Sequence, residues 1–102
     1  MKEENQIVEP PDELDGATVI KWAWSGIEPF GYLPITDSDT DDESIEIYGL
    51  AICKFDDSDN VHRFSCDKDW EVQQDGVYET VDDAQSQLPN QYKLRVAKWR
   101  TK

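Results

Sequence analysis

The sequence predicts a small α+β domain: a mostly antiparallel β-sheet of about four to five strands with one short helix near the C-terminus. Three observations carry this expectation. Apolar residues alternate at period two in several separate windows, one window alone has helical spacing with a cap, and the windows are joined by turn residues such as "DDSDN".

Residues 1–16 are polar and acidic, contain Pro10-Pro11 and hold no apolar run. They read as a flexible segment ahead of a single domain over residues 17–102. No stretch approaches the roughly 18 apolar residues that a membrane span requires, and the start lacks the apolar core of a signal peptide. The expected location is the cytoplasm, which two cysteines fit, being too few for a disulfide scaffold.

In "ATVIKWAWSG" strict alternation puts Thr18, Ile20, Trp22 and Trp24 on one face and Val19, Lys21 and Ala23 on the other, a half-buried strand ending at Gly26. Pro29, Gly31 and Pro34 limit "IEPFGYLPITD" to an edge strand or an extended loop. The strongest strand is "SIEIYGLAICKF", apolar on both faces near its middle and therefore placed centrally.

"VHRFSCDKDWEV" then resumes as the second arm of a hairpin. Its core face matches only if Phe55, Cys53 and Ala51 sit opposite the set His62, Phe64 and Cys66. A two-residue loop at Asp59-Asn60 would pair Asp56 with Arg63, Phe55 with Phe64 and Cys53 with Cys66. A four-residue loop would instead set Lys54 against Arg63, a like-charge pair, so the first register is preferred.

The helix falls in "TVDDAQSQL": Thr80 caps, Asp82 and Asp83 favour the positive N-terminal end, Val81, Ala84 and Leu88 share a face, and Pro89 ends it. "YKLRVAKWR" alternates Leu94 and Val96 against Arg95, Ala97 and Trp99, so the chain is expected to close with a strand.

Composition narrows function more by exclusion than by motif. Hydrophobic residues at 37% and aromatics at 11% allow one core in 102 residues, so the 23 acids sit on a chain that folds. The net charge of −13 opposes binding to phosphate backbones and anionic membranes and favours a basic protein partner. Five of the ten basic residues lie in "KLRVAKWRTK", which leaves −18 on the first 92. That basic strip, with Trp99 and Tyr92, is read as an internal complement to acidic strands rather than as an RNA-binding surface.

The densest acidic cluster is Asp37, Asp39, Asp41, Asp42 and Glu43 within "ITDSDTDDESIEI", and these five are the candidate partner-binding residues. As a calcium loop counted from Asp37, the cluster lacks the glycine at position 6, held by Asp42, and the glutamate at position 12, held by Tyr48. No metal site is expected there. His62 and Cys66 on one strand would stand about 13 Å apart, too far to share a metal or to act as base and nucleophile. Trp22 and Trp24 could form a sugar-stacking platform, but large aromatics in so small a domain belong to its core.

With one histidine and no phosphate loop, no "GxSxG" and no "HExxH", neither a catalytic residue nor a cofactor is expected. In size, charge and the order of strand, "SCDKDWEV", capped helix and closing strand, the chain resembles small acidic bacterial immunity or inhibitor proteins. The functional expectation is accordingly a noncatalytic acidic domain that binds a basic partner such as a nuclease. A small-ligand or calcium-responsive module and an enzyme subunit are the alternatives.

Overall fold

The computed structural model describes residues 7–34, 44–88, 92, 93 and 96–102. It is a mostly antiparallel β structure with one short helix, and the described residues hold eight strands in two sheets rather than four to five in one. The strands are β1 Glu13–Leu14, β2 Ala17–Trp24, β3 Gly31–Pro34, β4 Ser44–Ile47, β5 Gly49–Lys54, β6 Val61–Cys66, β7 Val72–Tyr78 and β8 Arg100–Thr101, with helix α1 at Val81–Ser86. The larger sheet runs β1-β2-β5-β6-β7, and β8 shares the outer edge of β2 with β1.

Asp15 and Gly16 both take positive φ, 52° and 88°, as a two-residue turn between antiparallel strands requires. They pair Leu14 with Ala17 and Glu13 with Thr18. Residues before this turn also reach the sheet: Val19 N–H donates to Asp12 O at 2.9 Å, and Leu14 is buried.

The common face expected for Thr18, Ile20, Trp22 and Trp24 is not kept. Val19 pairs with Cys53 but Lys21 with Ile52, so Ile20 is an extra residue, a bulge that reverses the alternation. Ala17, Val19 and Trp22 consequently enter one core cluster with Ala51, Cys53, Phe64, Cys66 and Trp70. Ala23 turns to the opposite cluster, with Phe30, Ile47, Leu50 and Tyr92.

A second correction falls at Tyr48. The long central strand is two strands: β5 lies centrally between β2 and β6, whereas β4 leaves that sheet and pairs with β3, Gly31 opposite Ile47. Tyr48 stays linked at the junction, its N–H to Cys66 O and its C=O from Ser25 N–H, both 2.9 Å. The break lets Ile47 join Leu50 in the second cluster while Ala51 and Cys53 face the first.

The β5–β6 hairpin keeps the expected facing sets but adopts neither expected register. Cys53 pairs with His62, Ala51 with Phe64 and Gly49 with Cys66. The connection is longer, residues 55–60, because Phe55 leaves the ladder to pack edge-on against His62 at 4.9 Å. Arg63 then meets Ile52 rather than Asp56 or Lys54, and Cys53 and Cys66 do not face each other. Both thiols are free and buried.

"VHRFSCDKDWEV" is likewise not one strand. Asp67 ends β6 by accepting the N–H groups of Asp69 and Glu71 on its Oδ1, at 2.9 and 3.0 Å, and Asp67 N–H closes onto Glu71 O at 3.1 Å. The resulting turn sends the chain back as β7, whose "QQDG" centre lacks the apolar alternation that would mark a strand.

Helix α1 forms where expected. Thr80 accepts the Asp83 N–H at 3.0 Å, and Ala84 is buried under the helix. Replacing Thr80 by alanine orphans that N–H and is expected to cost about 1 kcal/mol, measured by urea denaturation.

The closing strand is shorter than expected, Arg100–Thr101 only, and Val96 is 81% exposed. Leu94 and Arg95 lie outside the described residues. Tyr92, Ala97 and Trp99 pack onto the face holding Leu50, so these residues cover the sheet instead of extending it. Among the described residues no helix is long and apolar enough to cross a membrane.

Candidate functional site

Antiparallel order gathers alternate connections at one end of the sheet. At the end where β2 and β6 start and β5 and β7 finish, three connections meet: the β1–β2 turn, the β5–β6 connection and the β7–α1 junction. They bring Asp15, Asp56, Asp57, Asp59, Glu79, Asp82 and Asp83 to the same rim, and all but the half-buried Asp83 are exposed. Lys54 is the one basic residue on these connections and the adjoining strand ends. Among the described residues none of the seven carboxylates forms an ion pair.

The rim is also locally braced. Asn60 N–H donates to Ser58 Oγ at 3.2 Å, and Ser58 N–H donates to Phe55 O at 3.2 Å, so the carboxylates of Asp57 and Asp59 project from a self-bonded turn. Asp82 and Asp83 occupy the first helical turn, where the exposed N–H groups stabilise negative charge. Sustaining so many like charges in one place costs folding energy, which nearby cations would relieve.

Among the described residues, the basic C-terminal strip forms no ion pair with this rim. Lys102 Nζ instead meets Asp12 Oδ1 at 2.7 Å and Glu9 Oε2 at 3.2 Å, at the outer edge of β2. Its hydrogen bond and charge hold the Asp12 carboxyl below its ordinary value. Arg100 lies over the Trp22 ring at 5.7 Å, and Lys21 donates to Thr101 Oγ1 at 3.1 Å.

The other sites considered in the sequence separate cleanly. Asp37, Asp39, Asp41, Asp42 and Glu43 lie outside the described residues. His62 Nδ1 contacts Asp75 Oδ1 at 3.0 Å rather than a cysteine, and no metal-binding group of His, Cys, Asp and Glu occurs among the described residues. Burial pushes the Cys53 thiol up to about 12 and raises Cys66 as well, which keeps both neutral and poorly nucleophilic.

The aromatic platform dissolves into the core. Trp22 is 6% exposed and meets Trp70 edge-on at 6.3 Å, Phe30 is fully buried, and Trp24 packs between Tyr48 and Trp70. What the sequence reading missed is the rim itself. "DDSDN" and "TVDD" were visible as turn and cap signals, and following the hairpins would have placed them at the same end as Asp15. No family model, curated protein or solved structure matches this chain.

Proposed function

We propose that this protein is a noncatalytic acidic binding domain whose partner is a basic protein. The observation that supports it is the rim of seven carboxylates on three connections, without ion pairs among the described residues, in a chain of net charge −13. The cluster at residues 37–43 belongs to the same reading as a further acidic element. In its most concrete form the domain is a cytoplasmic immunity-type inhibitor that covers the phosphate-binding surface of an enzyme such as a nuclease.

Charge of this density acts first on association. Opposite fields steer the encounter and fade beyond the screening length of about 8 Å at physiological salt, so the on-rate should fall steeply with added salt. Carboxylates would then take the places that phosphates occupy on such an enzyme.

The test begins with capture of a partner from source-cell lysate at low salt, followed by stopped-flow kinetics on the purified pair. The triple variant Asp56→Asn, Asp57→Asn, Asp59→Asn should slow association about tenfold with a smaller effect on dissociation. A second variant with Asp37, Asp39, Asp41, Asp42 and Glu43 converted to their amides divides the effect between the two acidic elements. An on-rate indifferent both to these changes and to salt would refute the electrostatic reading.

A further inference from the structure

Arg63 is the only charged side chain buried among the described residues, at 6% exposure. Its Nη1 donates to Ala84 O at 2.8 Å, which ties α1 to the sheet, and the Tyr78 ring lies 4.7 Å from the guanidinium carbon. Its Nε is closed to solvent and has no hydrogen-bond partner. No carboxylate among the described residues pairs with it, although the chain carries 23 acids.

A buried cation without a counterion is costly, because the desolvation of its charge is not repaid. The helix carbonyl and the tyrosine ring offset part of that cost, and neither carries a formal negative charge. A concavity of about 370 Å³ opens beside the guanidinium, lined by Arg63, Ser65, Gln74, Gly76, Tyr78 and Gln87. The β6–β7 register builds it by setting Arg63 opposite Gly76 and Ser65 opposite Gln74, on the face that α1 covers. At Gly76 a Cβ would come within 3.1 Å of Tyr78, so the missing side chain keeps this wall thin.

We propose that this concavity is a binding site for a small monocarboxylate, with Arg63 as its counterion. A guanidinium edge matches a planar carboxylate through two parallel hydrogen bonds. With Nη1 committed to Ala84, the edge that remains is Nε with Nη2, and Nε, which water does not reach, meets the carboxylate once the side chains lining the concavity shift. Ser65 supplies a hydroxyl and Gln87 an amide. Gln74 accepts from the Tyr92 hydroxyl at 2.6 Å through Oε1, which leaves its amide N–H groups as donors for hydroxyl or amide groups of the ligand.

Asp75 also borders the concavity, with its carboxylate held by His62. The register of Asp75 opposite Phe64 turns that carboxylate to the other face of the sheet, and the single guanidinium matches one negative charge, so a dianion such as phosphate is disfavoured. The volume lies at the small end of the roughly 300–1,000 Å³ typical of ligand sites. The proposal stands apart from the acidic rim and does not depend on a protein partner.

The test uses the full chain labelled with ¹⁵N, because the Arg63 Nε–H, shut away from water, gives its own resonance. N-acetylglycine and lactate are the probes, against N-acetylglycinamide, sodium chloride at matched ionic strength, and inorganic phosphate. Saturable displacement of that resonance by at least one of the carboxylates is expected, with a Kd of about 1 mM or tighter that calorimetry reproduces. Arg63→Lys, which keeps the charge but loses the fork, should weaken binding about tenfold. Ser65→Ala, which leaves the Ala84 bond intact, should weaken it severalfold should the first variant unfold. No saturable response to either carboxylate, an equal response to chloride or to the neutral amide, or a response to phosphate alone would overturn the proposal.

Discussion

Replacing Trp70 by alanine is expected to destabilise the fold by about 3–5 kcal/mol, a large share of the 5–15 kcal/mol available to a domain of this kind. Trp70 is 6% exposed although it sits in a hairpin turn. Its ring meets Trp22 at 6.3 Å and Trp24 at 5.6 Å, and its Nε1 donates to Val8 O at 3.1 Å. The side chain thus closes one core cluster and anchors the residues that precede β1.

The backbone there is strained in a way that makes the experiment sharper. Trp70 holds φ at 63°, a conformation that costs residues with a Cβ about 1–2 kcal/mol. Trp70→Gly should therefore lose the same ring but destabilise less than Trp70→Ala by about 1 kcal/mol. Urea denaturation followed by far-ultraviolet circular dichroism measures both. An alanine variant within about 1 kcal/mol of the wild type would show that the indole does not close the core.

Gly49→Ala is expected to cost about 2–3 kcal/mol, near the upper end for overpacking. A Cβ at Gly49 would stand 2.6 Å from Trp70 Cζ3 and 2.7 Å from Cη2, and that ring is wedged against two tryptophans. The backbone of Gly49 itself is compatible with alanine, so the whole penalty comes from the ring. In the Trp70→Ala background the same substitution should become neutral or stabilising by about 0.5 kcal/mol, because alanine loses less entropy in a strand. A double-mutant cycle reads this reversal directly, and simple additivity would contradict the packing.

This contact also explains why the hairpin register escaped the sequence. Three registers, with connections over residues 59–60, 57–60 or 55–60, all turn Ala51 and Cys53 toward the side of Phe64 and Cys66. Alternation cannot choose among them, since a slip of two residues preserves every face. The observed register sets Gly49 opposite Cys66 at the end where Trp70 folds back, so the smallest residue of β5 lies beneath the largest side chain. That choice is made by a residue 21 positions away along the chain.

Reversals of face were illegible for a related reason. Ile20 and Tyr48 each shift the alternation by one, and nothing in "TVIKW" or "EIYGL" differs from an uninterrupted strand. Asp15-Gly16, by contrast, is a turn signal in plain view, but the two residues of β1 before it are too few to show an alternation. The candidate site divides in the same manner. The acids of the rim other than Glu79 were readable as turn or cap chemistry, whereas the meeting of all seven at one end depends on strand order.

By itself, the sequence determined the antiparallel β character, the edge status of the Pro-containing segment at residues 29–34, the Thr80 cap and the acidic balance. Each of these follows from residues adjacent in the chain or from composition. Only the tertiary structure decided the register of β5 on β6, the two reversals of face, the burial of Arg63 beside a polar concavity, and the pairing of Lys102 with Glu9 and Asp12. Periodicity reports which face of a strand is apolar; which partner that face meets is selected by packing between distant segments, where side-chain volume and charge are first compared.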